Sequence, residues 1–277
     1  MKAKLINMAK AWAGSLEYSL SPWHYAADEL VVLCMHSTPK SHSAAFDSIV
    51  KFLLQHFKPL APAELADYFE GKISAGPYVL FTFDDGLKNN LYAAQVLNAH
   101  GLNALFFVVP DFVEASDQTA YYRAHIRKTI DSNFDKEEED FTALSIPELQ
   151  ALMSQGHRIG SHSMSHLLRA SSDADMIERE VASSKKWLNE KLNTDVDSFC
   201  SPINTNFSIS QSSKRSIEKN YTFHFTTFPG LHTEQKDPAL VYRRNIEVNW
   251  SLGKIKYALG KADLGRWNRE IERYRQL

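Results

Sequence analysis

The feature that most restricts this chain is a regular exchange between short apolar, β-rich runs and segments of helical period. Seven runs read as strands, at 30–36, 78–84, 103–109, 157–163, 196–201, 221–227 and 239–248. Between them, 44–57 carries Phe46, Ile49, Val50, Leu53, Leu54 and Phe57 on one helical face. A helix over 90–100 ends at Gly101, the residue type favoured just past a helix C-terminus. Ser172 and Asp173 can cap another helix to about Leu192, with Ile177, Val181, Leu188 and Leu192 inward. Strands separated by helices pair in parallel through crossovers, which leaves an α/β barrel or an open doubly wound sheet. Several runs are apolar throughout, as strands covered on both faces must be.

No Pro/Gly/Ser linker and no internal repeat divides the chain. The reading is one domain over 30–277, preceded by an N-terminal helical extension over 1–29. An insertion at about 116–144 holds an expected helix at 120–130 and the acidic run 136–140. That run reads first as a solvated surface and second as a lid or partner contact.

Composition narrows the function classes. Of 277 residues, 31 are Lys or Arg and 33 are Asp or Glu, mixed along the chain with no basic run, which argues against a nucleic-acid groove. Cys34 and Cys200 sit in apolar runs, so they read as core packing rather than as a disulfide framework. No stretch approaches the roughly 20 apolar residues of a membrane span, and the N-terminal stretch lacks the apolar run of an export signal. A cytoplasmic location follows as the expectation. Leu5, Met8, Trp12 and Leu16 share a helical face flanked by Lys2, Lys4 and Lys10. Packing on its own domain is the ordinary reading of such a helix; contact of residues 1–16 with a membrane surface or a partner is the sharper one.

Metal-capable side chains gather at the C-terminal ends of the expected strands, the rim where parallel α/β folds build their sites. His36 ends the first, Asp84 and Asp85 the second, and His162 and His166 follow the fourth. Neighbouring carboxylates on a strand point to opposite sides. If Asp85 ligates a cation, Asp84 therefore stays beside the open position, able to take a proton from water. Two imidazoles four residues apart can face one point if the segment coils. With Asp85 they make a ligand set suited to a borderline divalent cation that keeps room for water. Taken singly, each of these residues has an ordinary structural reading: a helix cap for the aspartates, a core or surface residue for the histidines. Three strand ends together outweigh it.

These residues resemble the polysaccharide deacetylase family, carbohydrate esterase family four. The resemblance rests on Thr82-Phe83-Asp84-Asp85-Gly86, similar to the family's TFDDG motif, and on His162-Ser163-Met164-Ser165-His166, similar to its H-[S/T]-x-x-H motif. It spans about 30–249. It implies a distorted (β/α)7 barrel as a single domain and N-deacetylation of an acetylated amino sugar in a polysaccharide, lipid-linked glycan or related carbohydrate. It also implies Asp84 as general base, and zinc or a similar divalent ion on Asp85, His162 and His166. The family's Leu-x-x-His motif, whose histidine is the general acid, usually lies late in the chain. Here Leu33-Cys34-Met35-His36 stands at the first strand, which resembles the circularly permuted members.

Two departures matter. The stretch 199–204 matches the family's third motif but has no Arg to hold the base; Pro202 is kept, and the backbone N–H of Ile203 can serve the oxyanion. Arg243 or Arg244 is the candidate replacement, both counted among substrate-site residues. The family's Asp-Trp motif has no counterpart in this reading. Two rival readings stay open: a catalytically inactive glycan-binding module on the same barrel, motivated by the missing Arg, and a non-haem iron oxygenase using two histidines and a carboxylate, which the alternating α/β pattern disfavours.

Overall fold

The computed structural model describes residues 2–20, 25–73, 75–126, 141–203, 205–233, 236–260 and 267–277. Its strands are β1 (Leu30–Met35), β2 (Lys58–Pro59), β3 (Tyr78–Phe83), β4 (Ala104–Val108), β5 (Arg158–Ser161), β6 (Ser198–Cys200), β7 (Phe223–Phe225) and β8 (Arg244–Asn245). Each of the seven expected runs contains a strand; the short β2, beside β3, is additional. The longer helices are α1 (Lys2–Leu20), α2 (Ser43–Leu54), α3 (Asn90–Ala99), α4 (Ile146–Ser154), α5 (Ser184–Leu192), α6 (Gln211–Asn220), α7 (Leu252–Leu259) and α8 (Asn268–Arg275).

The strands run parallel in the order β7-β6-β5-β4-β3-β1-β8, with β2 on β3. The sheet curls on itself. Val241 bridges to Phe225 at the β7 edge, and three residues later Arg244 pairs with Leu33 of β1, so one short segment touches both edges. This is the distorted (β/α)7 barrel.

Strand alternation sorts the core into two layers. Val31, Leu33, Val79, Phe81, Phe83, Ala104 and Phe106 face outward, where they pack with α2 residues such as Phe46 and Val50 and with Leu97 of α3. Leu30, Val32, Leu80, Leu105, Phe107, Cys200, Phe225 and Val241 fill the barrel interior. Following the inward parity up β1 and β3 leads from Leu30 and Val32 to Cys34 and His36, and from Leu80 to Thr82 and Asp84. An apolar plug below thus gives way to polar and titratable groups at the C-terminal rim.

The expected helix to Leu192 forms in three joined pieces: Ala174–Ile177, capped by the Asp173 carboxylate accepting from Met176 N, a π-helical stretch Glu178–Ser183, and α5. The expected helix at 120–130 appears as Gln118–Tyr121 followed by a π turn, Tyr122–Ile126. Its remainder and the acidic run 136–140 lie outside the described residues.

Helix α1 packs on α7 through a close crossing. A Cβ on Gly14 would lie 2.3 Å from Gly253 O, and one on Gly253 would lie 2.4 Å from Ala11 O. The face toward α7 is therefore made by Ala11 and Gly14, whereas Met8, Trp12 and Leu16 are exposed, Trp12 by 71%. The helix rests on its own domain with its larger apolar side chains turned away. No described helix is long and apolar enough to cross a membrane.

Candidate active site

At the rim lies a cavity of about 370 Å³ lined by His36, Asp84, Asp85, His162, His166, Ile203, Arg243 and Glu247, among others. It brings together seven of the nine residues singled out from the sequence. Pro202 is buried off its described wall, and Arg244 lines an adjoining hollow instead.

Strand β3 ends at Phe83, and Asp85 takes a positive φ of 73°, so strand alternation stops before the Asp pair. Asp84 keeps the inward direction. Asp85 is swung by the turn toward the histidines, and Gly86 continues in the same left-handed region at φ 70°. Ser163, His166 and Ile203 also have positive φ. Such backbone costs about 1–3 kcal/mol per residue and persists only where surrounding contacts fix it.

Those contacts are visible around the histidine loop. Glu180, fully buried in the π-helical stretch, accepts from Ser165 N at 3.0 Å and Ser165 Oγ at 2.5 Å, and its own carbonyl accepts from Met164 N. The Ser163 hydroxyl accepts from His166 N. The loop is thereby coiled without being helical, and both imidazoles turn to one place.

His162 Nε2 and His166 Nε2 lie 3.6 and 3.8 Å from the same oxygen of Asp85, too far for hydrogen bonds. His162 Nδ1 donates to the carbonyl of Cys200 at 3.0 Å, which puts a proton on Nδ1 and turns Nε2 toward Asp85. Burial first, then the neighbouring His162, holds His166 well below the usual histidine range and hence neutral. One carboxylate oxygen and two imidazole nitrogens lie within 4.8 Å of one another. Bonds of about 2.0–2.2 Å from an oxygen and two nitrogens to one tetrahedral cation give separations of this size. The donor set fits a divalent ion.

Asp84 is differently engaged. Arg243 Nη1 donates to its Oδ1 at 2.7 Å and Nη2 to its Oδ2 at 2.9 Å, a bidentate pair with both partners buried. Arg243 is itself fixed by donating from Nε to Thr226 O at 2.9 Å. Burial penalises the ionised carboxyl, but the guanidinium outweighs it and holds Asp84 well below the usual carboxylate range. Cys34 Sγ donates to Asp84 Oδ2 at 3.5 Å, and Cys200 Sγ lies 3.7 Å from it. Both cysteines are buried, as core packing requires, yet their thiols border the Asp84 carboxylate.

His36 Nδ1 lies 3.2 Å from Glu247 Oε1. Burial disfavours its charged form, but the Glu247 carboxylate overrides this and raises His36 to about 9. Sequence reasoning missed Glu247. The available signal was parity: Arg243, Asn245 and Glu247, at alternate positions, all line the cavity. A proton-donating His36 would stay charged through the neutral range, with turnover falling as pH rises through about 9. Glu247→Gln is expected to move that alkaline limb down by about one unit or more, toward the ordinary histidine value. The pH profile of kcat/KM checks it, and an unmoved limb would remove Glu247 from the account.

A parallel barrel with buried carboxylates and imidazoles gathered in a rim cavity defines the class as a hydrolytic α/β-barrel enzyme. The chain belongs to the polysaccharide deacetylase family, whose model matches residues 72–224. Comparison with curated proteins returns no match. Among solved structures it is similar to the deacetylase PplD of Streptococcus pyogenes, with 16% identity, TM-score 0.64, and coverage of 84% of this chain and 98% of that one. IcaB from Ammonifex degensii gives 21% identity and TM-score 0.65, covering 86% of this chain and 100% of that one. A polysaccharide deacetylase of Bacillus cereus gives 20% and 0.61, covering 83% and 68%. At such identities the likeness speaks for the fold, and the chemistry rests on the site.

Proposed function

We propose that this carbohydrate deacetylase removes the acetyl group of an acetylated amino sugar with the help of a divalent metal, zinc first, on Asp85, His162 and His166. The observation that carries the reading is the division of labour between adjacent carboxylates. Asp85 Oδ1 faces both imidazole Nε2 atoms at 3.6 and 3.8 Å, while Asp84, with one oxygen 3.9 Å from His162 Nε2, has both oxygens taken by Arg243. The metal would polarise the acetyl carbonyl and make water more acidic. Asp84 takes the water proton, the Ile203 N–H donates to the developing oxyanion, and protonated His36 gives its proton to the departing amine. Arg243 is the positioning residue for Asp84, and Glu247 for His36. Both groups are thereby held in the protonation state each step begins from.

An inactive glycan-binding module loses its motive in this reading, because a guanidinium does sit on Asp84 although the stretch 199–203 lacks one. Acetate release from a panel of acetylated amino sugars, with metal content measured in parallel, tests the proposal. Metal-dependent release is expected, and His162→Ala is expected to lose both metal and release. A metal-loaded wild type inert on every acetylated carbohydrate would overturn the reading.

For location, the buried free thiols Cys34 and Cys200 suit a reducing compartment such as the cytoplasm. The exposed Met8, Trp12 and Leu16 suit contact of residues 1–16 with a membrane surface. Recovery of the protein with extracytoplasmic markers, or no retention on anionic vesicles, would count against these two assignments respectively.

A further inference from the structure

Ile203 is a β-branched residue at φ 52°, 40% exposed on the wall of the catalytic cavity. Such a backbone needs a hold from outside, and two clamps on β7 and the residues after it supply one. Beyond Ile203, Thr205 N donates to Thr227 Oγ1 and Thr227 N to Thr205 Oγ1, both at 3.0 Å. Before it, Ser201 N donates to Phe225 O at 3.0 Å, and the Ser201 hydroxyl lies 2.6 Å from His224 Nε2. Alternation keeps Cys200, Phe223 and Phe225 inside the barrel and sends Ser201 and His224 to its outer side. There His224 Nδ1 lies 2.7 Å from the hydroxyl of Tyr274 on α8, which donates to Ala239 O at 3.2 Å. Serine, imidazole and phenol are all buried.

The acceptor at the far end fixes the direction of the whole chain. A carbonyl can only accept, so the single Tyr274 hydroxyl proton goes to Ala239. His224 Nδ1 then donates to the phenol oxygen, and Nε2 accepts from the Ser201 hydroxyl. The opposite tautomer would leave the bond from Tyr274 to Ala239 unmade. Burial first, then the charges of Lys214 and Arg243, lower His224 to about 3, so it is neutral, as this arrangement requires. Three bonds thus tie the C-terminal helix to the segment that carries Ile203. A backbone donor works hardest where charge develops, so its exact placement acts on the transition state more than on bound substrate. Resting on the reading of the Ile203 N–H as oxyanion donor, we infer that Ser201, His224 and Tyr274 are positioning residues for that donor. Tyr274 acts from a distance, since it is not among the described wall residues of the cavity.

Tyr274→Phe removes one oxygen, keeps the ring that packs on Phe228, and alters no described wall residue of the cavity. It is expected to lower kcat about 10-fold, and Ser201→Ala about 10- to 100-fold, against roughly 100- to 1,000-fold for outright loss of such a donor. KM is expected to stay within about threefold in both. Because the two act through one chain, Ser201→Ala/Tyr274→Phe is expected to be no slower than Ser201→Ala alone. Rates are read well below the lowest Tm, where every variant is folded. Wild-type kcat in either single variant, multiplied losses in the double one, or a loss carried by KM would overturn the inference. The amide resonance of Ile203, observed with selectively ¹⁵N-labelled isoleucine, needs no turnover. In Tyr274→Phe it is expected to shift or broaden as the segment loses its hold. Should the wild type release no acetate from any acetylated amino sugar, a moved Ile203 resonance would retain the chain as the hold on this segment while the oxyanion reading fails. An unmoved resonance would end the inference too.

Discussion

Asp84→Asn is expected to reduce kcat about 1,000-fold, within the range seen when a positioned general base is removed, while metal content stays at the wild-type level. The asparagine keeps the shape of the side chain but cannot take a proton, and Asp85, His162 and His166 are untouched. The substitution also takes the counter-charge from a fully buried guanidinium. A loss of stability of about 3 kcal/mol is therefore expected beside the loss of turnover, and kinetics belong well below the lowered Tm. Single-turnover acetate release and metal analysis on one preparation separate the two effects. Near wild-type turnover in this variant would mean that another group takes the proton.

Arg243→Met is expected to cost about 3–5 kcal/mol at neutral pH, because it leaves a buried carboxylate without its partner. The sign follows from linkage. In the wild type the folded Asp84 carboxyl lies below its unfolded value near 4. The stability it contributes is present above about pH 4 and is lost only as pH falls through the lower, folded value. Without the guanidinium, burial, the largest influence on Asp84, is opposed only by the attraction of His162 and His36, and the folded carboxyl rises above the unfolded one. The variant's deficit should thus grow as pH rises through that raised value and shrink toward about pH 4, which thermal melts at several pH values would follow. Activity should fall as well, with its acid limb moved upward. Asp84→Leu/Arg243→Met should recover much of the stability and none of the turnover, since apolar replacement of a buried ion pair is often neutral. Melts of Arg243→Met indistinguishable from wild type at all pH values would show the pair to be unimportant.

The two variants probe one arrangement from opposite sides. Arg243 sits four residues before Glu247, and each bears on the charge of a group to which the proposed mechanism gives a proton-transfer role, Asp84 as carboxylate and His36 as imidazolium. A single segment beside the barrel seam thus sets both protonation states. It lies outside the region matched by the family model, which ends at residue 224.

Much of this is legible in the sequence. Strand runs and helical faces repeat at periods of about two and near 3.6, and burial enforces both, so the sequence by itself determined the parallel α/β class and the rim position of His36, Asp84, Asp85, His162 and His166. What it could not carry was contact between segments far apart in the chain. Whether Arg243 or Arg244 meets Asp84 depends on which of two neighbours faces the barrel axis, and that is fixed by the register of β8 against β1. Glu247 gains meaning only because the same pairing lays it beside His36, 211 residues away. The direction of α1 was decided by the fit of Gly14 against Gly253, which outweighs the apolar face that periodicity singles out. Local pattern follows from solvent and sterics acting within a few residues. Charge pairing across a closed barrel follows from topology, and only the folded chain contains it.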